Sequence, residues 1–400
     1  MSRFFRFLLL AGALVSGITA NQTLEREVVI VGAGAAGVSA ALYLKQQGVS
    51  FAVVEKKPVF GGQTETCTMR YIDFRTATEL SNFTYSSNLS AYIVQADKYA
   101  WLAYQTKTPV PIPSDLLLTF GDFVKKYSLQ SGMFNIFFNV EGLGDLNVPH
   151  LIGLDTSSKG LAVTSTQNNQ QAYLLAQAEF GSSALVNSTV ESAQRDSSGV
   201  SLKVNTPGGL VTMNASKLLV AMPPLPSNMN SFDLDTTESE LFENFTWSGY
   251  YAALVNATGI SSMYGYQNAG IDTLYNLPPL PAIYDMTATG TGNIWLVRYG
   301  TAASSSGAKV GDDILSSMER LRKRLSNSTG FPDIEILAFA NHLPYNVRVS
   351  AADIKNKFYN DLAALQGHRK TWYSGSAFLG PSSSDIWNAT RGVVDAMLTA

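Results

Sequence analysis

The clearest hydrophobic pattern lies near the start of the chain, where two short apolar runs flank a glycine-rich turn. Val28–Val31 and Phe51–Val54 are uninterrupted runs rich in valine, which predict buried strands. Between them, Val38–Gln47 predicts a helix with Gly48 as its C-cap. A strand, a helix and a second strand at this spacing predict a βαβ unit and a parallel sheet.

Further along, the pattern predicts a mixture of helices and strands. Residues 76–150 read as mostly helical, with a proline-rich break at 109–113 and Ser114 or Asp115 as the cap of a helix over Leu116–Tyr127. Further strands are predicted at Ala184–Val186, Val190–Arg195, Val200–Val204, Leu210–Met213 and Leu218–Ala221, and a strand that runs into a turn at Trp372–Ser376. Further helices are predicted at Gln170–Glu179, Ile314–Leu325 and Asp385–Leu398.

Composition narrows the class of protein. The chain has 400 residues, of which 46% are apolar and only 15% charged, and its net charge is −3. A chain of this length can bury a large core, and the absence of a basic stripe argues against a nucleic-acid partner. The single cysteine, Cys67, excludes an intrachain disulfide, and with only three histidines no metal site is expected.

The first 20 residues have the order of a secretory signal peptide. Arg3 and Arg6 precede an apolar run over residues 7–15, and small residues follow it. An uncleaved N-terminal anchor is the alternative, and no other run is long enough to suggest a membrane span. Secretion with N-glycosylation is therefore expected. Sequons occur at Asn21, Asn82, Asn88, Asn187, Asn214, Asn244, Asn256, Asn327 and Asn388.

The glycine-rich turn carries a dinucleotide-binding pattern. Gly32, Gly34 and Gly37 follow the first strand and open the helix, and Glu55 ends the second strand. The glycines allow a tight turn, a close approach of the pyrophosphate and close packing of helix on strand, while the helix N-terminus attracts phosphate. Glu55 can accept hydrogen bonds from both ribose hydroxyls. These residues do not separate FAD from NAD.

Several later segments resemble flavoproteins of the glutathione-reductase type, and above all the flavin-containing amine oxidases. Phe60–Thr66 resembles their second glycine motif, with Gln63 where they usually have arginine, and Lys217–Pro224 resembles their return strand. Ser376 replaces the acid that normally binds the ribityl chain. The following helix would point its N-terminus at the isoalloxazine, with Ile386 and Trp387 as backbone donors.

The resemblance implies a set of FAD-binding residues. They are Gly32, Gly34, Ala35, Ala36, Gly37, Glu55, Lys56, Gly61, Gly62, Gln63, Thr64, Val190, Gly375, Ser376, Ile386 and Trp387. Val190 is included because a valine backbone meets the adenine in these proteins.

Two further segments resemble fungal β-cyclopiazonate dehydrogenase-like FAD-dependent oxidoreductases: Asp115–Tyr127, and the tail at Thr371–Phe378 with Ser383–Trp387. The implied fold class is α/β, a glutathione-reductase-type Rossmann FAD-binding domain with an inserted substrate domain of mixed sheet and helices. The expected boundaries are a signal peptide at 1–20, an FAD-binding domain at 24–80, 160–225 and 340–400, and a substrate domain at 81–159 and 226–339.

The resemblance implies hydride transfer from a C–H or C–N bond of a small apolar or aromatic metabolite to flavin N5, with or without oxidative cyclisation, and molecular oxygen as electron acceptor. No lysine lies between Lys217 and Lys309, where amine oxidases place one near N5, so simple amine oxidation is disfavoured. A flavin-dependent double-bond isomerase and a non-catalytic secreted glycoprotein stay open as alternatives. The candidate catalytic residues are Tyr251, Arg298, Trp387 and His342; each also has an ordinary structural interpretation.

Overall fold

The computed structural model describes residues 27–31, 41, 43–54, 68–86, 88–103, 108–139, 170–326, 328–379 and 383–400. The chain divides after residue 67 into two compact units. The first unit contains the predicted parallel pair, β1 (Val28–Val31) and β2 (Phe51–Val54), in which Val28 pairs with Phe51. The helix between them ends as predicted at Gly48, whose φ is +70°. The Val49 N–H donates to the Leu44 carbonyl, which completes a C-terminal cap.

The second unit contains the remaining strands and the named helices. The strands are β3 (Thr68–Asp73), β4 (Thr78–Glu79), β5 (Thr189–Arg195), β6 (Val200–Thr206), β7 (Gly209–Ala215), β8 (Leu218–Val220), β9 (Thr246–Asn256), β10 (Tyr264–Asn268), β11 (Ala282–Ala288), β12 (Ile294–Thr301), β13 (Glu335–Asn341), β14 (Tyr345–Arg348) and β15 (Thr371–Tyr373). The helices are α1 (Ser90–Ala96), α2 (Phe120–Lys126), α3 (Met133–Asn139), α4 (Gln170–Phe180), α5 (Thr236–Phe242), α6 (Gly307–Leu325), α7 (Ala351–Lys355), α8 (Phe358–Ala364), α9 (Ser376–Leu379) and α10 (Ser383–Thr399).

An eight-stranded mixed sheet is the largest element of this unit. Its order is β13-β9-β12-β11-β10-β3-β4, with β14 also paired to β9, and the β10–β3 pair is parallel. One face is covered by α6, whose stripe of Val310, Ile314, Met318 and Leu321 packs on buried side chains that include Tyr251, Trp295 and Tyr299. This amphipathic helix was predicted, and it begins earlier than expected because Ser306 caps it.

The opposite face of the sheet is covered in part by the short helices α1 to α3. Their buried side chains include Phe120, Phe134 and Phe137, and they form one cluster with Tyr284 of β11. The predicted helix cap in this region is wrong. Thr119 caps α2 by accepting a hydrogen bond from the Asp122 N–H, because a short 3-10 turn over Ser114–Leu117 comes first.

Two smaller sheets complete the unit. The strands β5, β6 and β7 form an antiparallel meander, and β8 pairs in parallel with β15. The predicted strand at Ala184–Val186 is wrong, since these residues follow a 3-10 turn and pair with no described strand. The expected three-part domain boundaries stay a prediction.

A buried ionic network joins β5, α5 and β15. The guanidinium of Arg195 donates two hydrogen bonds to the Glu238 carboxylate at 2.7 and 2.8 Å and one to Asp233 at 2.9 Å. The Tyr373 hydroxyl donates to the same Glu238 at 2.7 Å, and the side chains of Arg195 and Glu238 have no exposed surface. Arg369 adds hydrogen bonds to Asp233 and to the Arg195 carbonyl. A buried charge is tolerated only when it is paired in this way.

This network controls the ionisation of Glu238. Burial works to raise the pKa of Glu238, but the hydrogen bonds from Arg195 and Tyr373 and the charge of Arg195 outweigh it, so the pKa is lowered from its ordinary 4.5. A lowered pKa in the folded state means that the carboxylate stabilises the fold fully above pH 4.5 and loses this effect as the pH falls through its folded-state pKa.

We expect Glu238→Gln to lower the free energy of unfolding at pH 7 by about 2 kcal/mol, because Arg195 loses one of its two carboxylates but keeps Asp233. Urea unfolding from pH 7 down to pH 4 measures the effect, and the gap from wild type should narrow below pH 4.5. The matched control is Glu240→Gln, on an exposed position of the same helix. Equal stabilities of the two variants at pH 7 would contradict the role of the network.

Candidate functional site

The turn after β15 lies at the carboxyl ends of two parallel strands. The Ser374 N–H donates to the Val220 carbonyl at 3.0 Å, so the chain leaves β15 beside the end of β8. Gly375 follows with a φ of +115°, and a Cβ at this position would lie 3.1 Å from the Ala221 carbonyl oxygen. Only glycine fits both the angle and the space, so the backbone here is bare of side chains.

Helix α10 is tied to this turn by a chain of hydroxyl groups. The Thr390 hydroxyl donates to the Ile386 carbonyl at 2.6 Å, so the Ser374 hydroxyl, 2.6 Å from it, must be the donor between the two. At the other end of the helix, the ammonium of Lys217 donates to the Met397 carbonyl and lies 5.9 Å from the centre of the Trp372 ring. The helix is therefore held against the parallel pair at both of these points.

Helix α10 begins at Ser383, two residues before the predicted start at Asp385. In an α-helix only the N–H groups of the first turn lack an intrahelical acceptor. The Trp387 N–H lies beyond this first turn, so its regular acceptor is a carbonyl of the helix itself. Trp387 is 61% exposed, and together with Ile386 it lines a cavity of about 540 Å³ along this helix. The roles of both residues as flavin donors stay a prediction.

These features fit a nucleotide cofactor. Open α/β folds bind ligands outside the carboxyl ends of parallel strands, where a bare turn admits the ligand and a helix dipole stabilises negative charge. Gly375 and Ser376 lie in that position, and Ser376 starts the short helix α9.

Of the other residues predicted to bind the cofactor, only Val190 lies within the described part of the chain. Val190 lies in β5 next to a bulge that shifts the register against β6. Outside the described residues lie Gly32, Gly34, Ala35, Ala36, Gly37, Glu55, Lys56, Gly61, Gly62, Gln63 and Thr64.

The structure separates the four candidate catalytic residues. Tyr251 is fully buried beneath α6, and its hydroxyl donates to the Ser305 carbonyl at 2.7 Å and accepts from the Ser305 N–H at 3.1 Å. This placement is typical of a structural tyrosine. His342 is exposed, follows β13 and stacks its ring 5.5 Å from that of Tyr250. Trp387 lies on α10, which is not part of the sheet that contains Tyr251, Arg298 and Tyr250.

Arg298, the fourth candidate, lies on the sheet face opposite α6. Its guanidinium makes a two-point ion pair with Asp285 of the neighbouring strand, with 2.8 Å between Nε and Oδ1. The Asp285 side chain is almost completely buried, whereas that of Arg298 is 34% exposed. The structure therefore places Arg298, Tyr250 and Tyr284 on the sheet face opposite α6, whereas Tyr251 lies on the face that α6 covers.

The part of the chain that the structure describes contains neither a candidate metal site nor a candidate membrane span. No cluster of three histidine, cysteine, aspartate or glutamate side chains there could hold a metal ion. No helix there is long and apolar enough to cross a bilayer.

Sequence reasoning missed the Arg195–Glu238 pair and the partner of Arg298. A signal for the first existed. Asp235 and Glu238 have the spacing of a capping box, which the structure contains at the start of α5. That pattern predicts the helix but not that Glu238 turns inward to an arginine 43 residues away.

The fold and the turn are those expected of a dinucleotide-binding protein. The family model of an NAD(P)-binding Rossmann-like domain matches residues 30–95. FAD-dependent oxidoreductase pigF of Monascus ruber is 34% identical over 94% of this chain and 92% of its own length. Beta-cyclopiazonate dehydrogenase of Aspergillus flavus is 28% identical over 97% of this chain and 96% of its own length. The chain therefore belongs to this family of fungal FAD-dependent oxidoreductases, and the predicted enzyme class and its cofactor, FAD, are confirmed.

A solved structure supports the fold. The CLA-producing fatty acid isomerase from P. acnes matches with a TM-score of 0.61 over 93% of this chain and 98% of its own, at 15% identity. At this identity the likeness concerns the fold alone, and it confirms the predicted α/β architecture with a mixed-sheet substrate part.

We expect Gly375→Ala to weaken FAD binding at least about tenfold, because an alanine at a φ of +115° strains the turn and its methyl group meets the Ala221 carbonyl. The flavin-to-protein absorbance ratio after dialysis, followed by titration with FAD, measures the change. Gly392→Ala is the matched control, since a Cβ there meets nothing within 4 Å. A folded Gly375→Ala protein that retains FAD as wild type does would count against this turn as part of the site.

Proposed function

We propose that this enzyme oxidises a C–H or C–N bond of a small apolar or aromatic metabolite by hydride transfer to FAD. The observation that carries the proposal is the charge-poor sheet of the larger unit. Across β9, β10, β11 and β12 the only lysine or arginine is Arg298. A binding surface of this kind favours apolar and aromatic compounds over highly charged ones. The name dehydrogenase, carried by a relative that is 28% identical, agrees with this reaction.

When bound, FAD supplies N5 as the hydride acceptor. The chain contributes binding and electrostatics. The bare turn at Gly375 admits the cofactor to the backbone, and the positive end of α10 favours negative charge on a ring placed before it. The hydroxyl contacts of Ser374 and Thr390 fix the helix relative to the turn. Precise placement of this kind is what an enzyme adds to the chemistry of its cofactor.

We further propose that molecular oxygen accepts the electrons and that the carbon skeleton of the substrate decides whether ring closure accompanies oxidation. A cyclising substrate must carry an internal nucleophile that attacks the position from which the hydride has left. Oxidation with ring closure and oxidation without it both reduce FAD, so the loss of FAD absorbance detects either reaction. An isomerase would instead return the hydride to another carbon of the substrate.

Anaerobic mixing with a panel of small apolar and aromatic metabolites should bleach the FAD absorbance when the panel contains a substrate, because hydride transfer reduces the ring and no oxygen is present to reoxidise it. Air should restore the colour with consumption of one oxygen molecule per substrate oxidised. Metabolites that stay unchanged in the same sample serve as controls. Conversion of a metabolite to an isomer of equal mass, without bleaching and without oxygen uptake, would overturn the oxidation in favour of isomerisation.

We also propose that the protein is a secreted N-glycoprotein. Support comes from the signal-peptide pattern at residues 1–20 and from the exposure of the sequons at Asn82, Asn88, Asn187, Asn214 and Asn244. Glycans would add the polar surface that the low content of charged residues does not supply. Asn388 is exposed as well, but it lies inside helix α10 and not in a surface loop, so it is expected to stay unmodified.

Enzymatic removal of N-glycans in heavy-oxygen water should label the exposed sequon asparagines of protein collected from the culture medium. Peptide mass spectrometry is expected to find the label at several of these five positions and not at Asn388. Untreated protein provides the control for spontaneous deamidation. Protein that stays inside the cells and carries no label would contradict secretion.

A further inference from the structure

On the side opposite α6, the described helices α1 to α3 leave one part of the large sheet uncovered. We define the open sheet face as Ala252 and Leu254 of β9, Leu296 and Arg298 of β12, and Ala338 and Ala340 of β13. These residues alternate with the buried residues that face α6, and strand pairing places Leu254 opposite both Leu296 and Ala338. Leu254 and Leu296 are each 38% exposed, and both alanines of β13 are exposed.

An aromatic wall bounds one end of the open sheet face. The Tyr250 ring lies 5.0 Å from Tyr345, 5.5 Å from His342 and 6.5 Å from Tyr284, and all three rings lie within about 35° of parallel to it. Gly300 permits this wall, because a Cβ there would lie 2.2 Å from the Tyr284 ring. In the row of residues beside the wall, Ala252 and Ala340 are small and Arg298 lies next to Ala252. The result is a shallow surface of small residues that ends at a wall of rings.

A single guanidinium lies on this otherwise apolar surface. Asp285 orients it through the two-point ion pair, and the buried carboxylate lies behind the partly exposed arginine. An oriented guanidinium in apolar surroundings forms strong charge-assisted hydrogen bonds with a planar anion. Arginine can also exchange a carboxylate partner for a ligand oxygen without changing its own charge.

We propose that the open sheet face is the substrate-binding surface and that it selects planar apolar compounds with one ionised carboxylic acid or enol. The flat part of the compound lies on Ala252 and Ala340 against the aromatic wall, and its anionic oxygen is bound by Arg298. Arg298 is thus a specificity-determining residue. This inference rests on the proposed function and narrows its substrate class.

Isothermal titration calorimetry on the FAD-loaded protein tests the inference with two probes of equal shape, 2-naphthoate and 2-naphthamide. Wild type should bind 2-naphthoate at least about tenfold more tightly, because only this probe carries the charge that Arg298 recognises. Arg298→Gln alone would leave Asp285 buried without a partner. The test variant is therefore the double substitution Asp285→Asn with Arg298→Gln, which removes both charges and keeps a hydrogen-bonding pair.

The double variant should bind 2-naphthoate at least about tenfold more weakly than wild type and 2-naphthamide within about twofold of it. The matched control is Arg70→Gln with Glu79→Gln, which removes a similar ion pair near Tyr264 and Tyr266, on the α6 side of the sheet. This control should bind both probes as wild type does. Ala340→Trp fills the surface and should weaken both probes.

Three results would overturn the inference: no binding of 2-naphthoate to wild type, equal binding of 2-naphthoate to the double variant, or full binding to Ala340→Trp. Probe binding needs no turnover, so this test and the anaerobic bleaching fail independently. Binding of 2-naphthoate that depends on Arg298, without bleaching by any metabolite, would support the binding surface and contradict the proposed oxidation. Bleaching by a metabolite, together with 2-naphthoate binding that does not depend on Arg298, would support the oxidation and contradict the binding surface.

Discussion

The ion pair between Arg195 and Glu238 is the constraint on which the arrangement of the larger unit depends. It brings together three segments that are distant in sequence, β5, α5 and β15, and the hydroxyls of Tyr373 and Thr371 connect it to the strand before the Gly375 turn. A buried charge is costly without its partner, so the ion pair favours one register of these segments. The position of the turn, and through Ser374 and Thr390 that of α10, follows from this register.

The two faces of the large sheet differ in composition, and we propose that one stabilises the fold while the other recognises the substrate. The face under α6 is filled by large aromatic and aliphatic side chains, and even a potentially reactive residue, Tyr251, is bound there to backbone groups. The open sheet face, on the opposite side, carries alanines, two exposed leucines and one oriented arginine. Alternation along β9 and β12 alone produces this difference, since neighbouring residues of a strand point to opposite faces.

Local patterns allowed several elements to be predicted. The valine-rich runs of β1 and β2, the cap at Gly48, the amphipathic α6 and the closing helix α10 all follow from side-chain periodicity or backbone preference. Long-range pairings could not be predicted in this way. Tyr373 and Glu238 are 135 residues apart, and nothing near either residue indicates the other. The strand predicted at Ala184–Val186 has suitable residues, but the structure describes no partner strand for it, and a strand needs one. The cofactor could be predicted from a motif and a resemblance, whereas the surface that we propose for the substrate could be defined only from the register of three strands.

The most direct test of the account is amide hydrogen exchange of the FAD-loaded protein compared with the same protein after removal of FAD. If the cofactor lies at the carboxyl ends of β8 and β15, exchange should slow in peptides that cover residues 371–390. Peptides of the open sheet face should exchange at nearly the same rate in both samples until a substrate is added. Slowing confined to other segments, with residues 371–390 unchanged, would contradict the central claim.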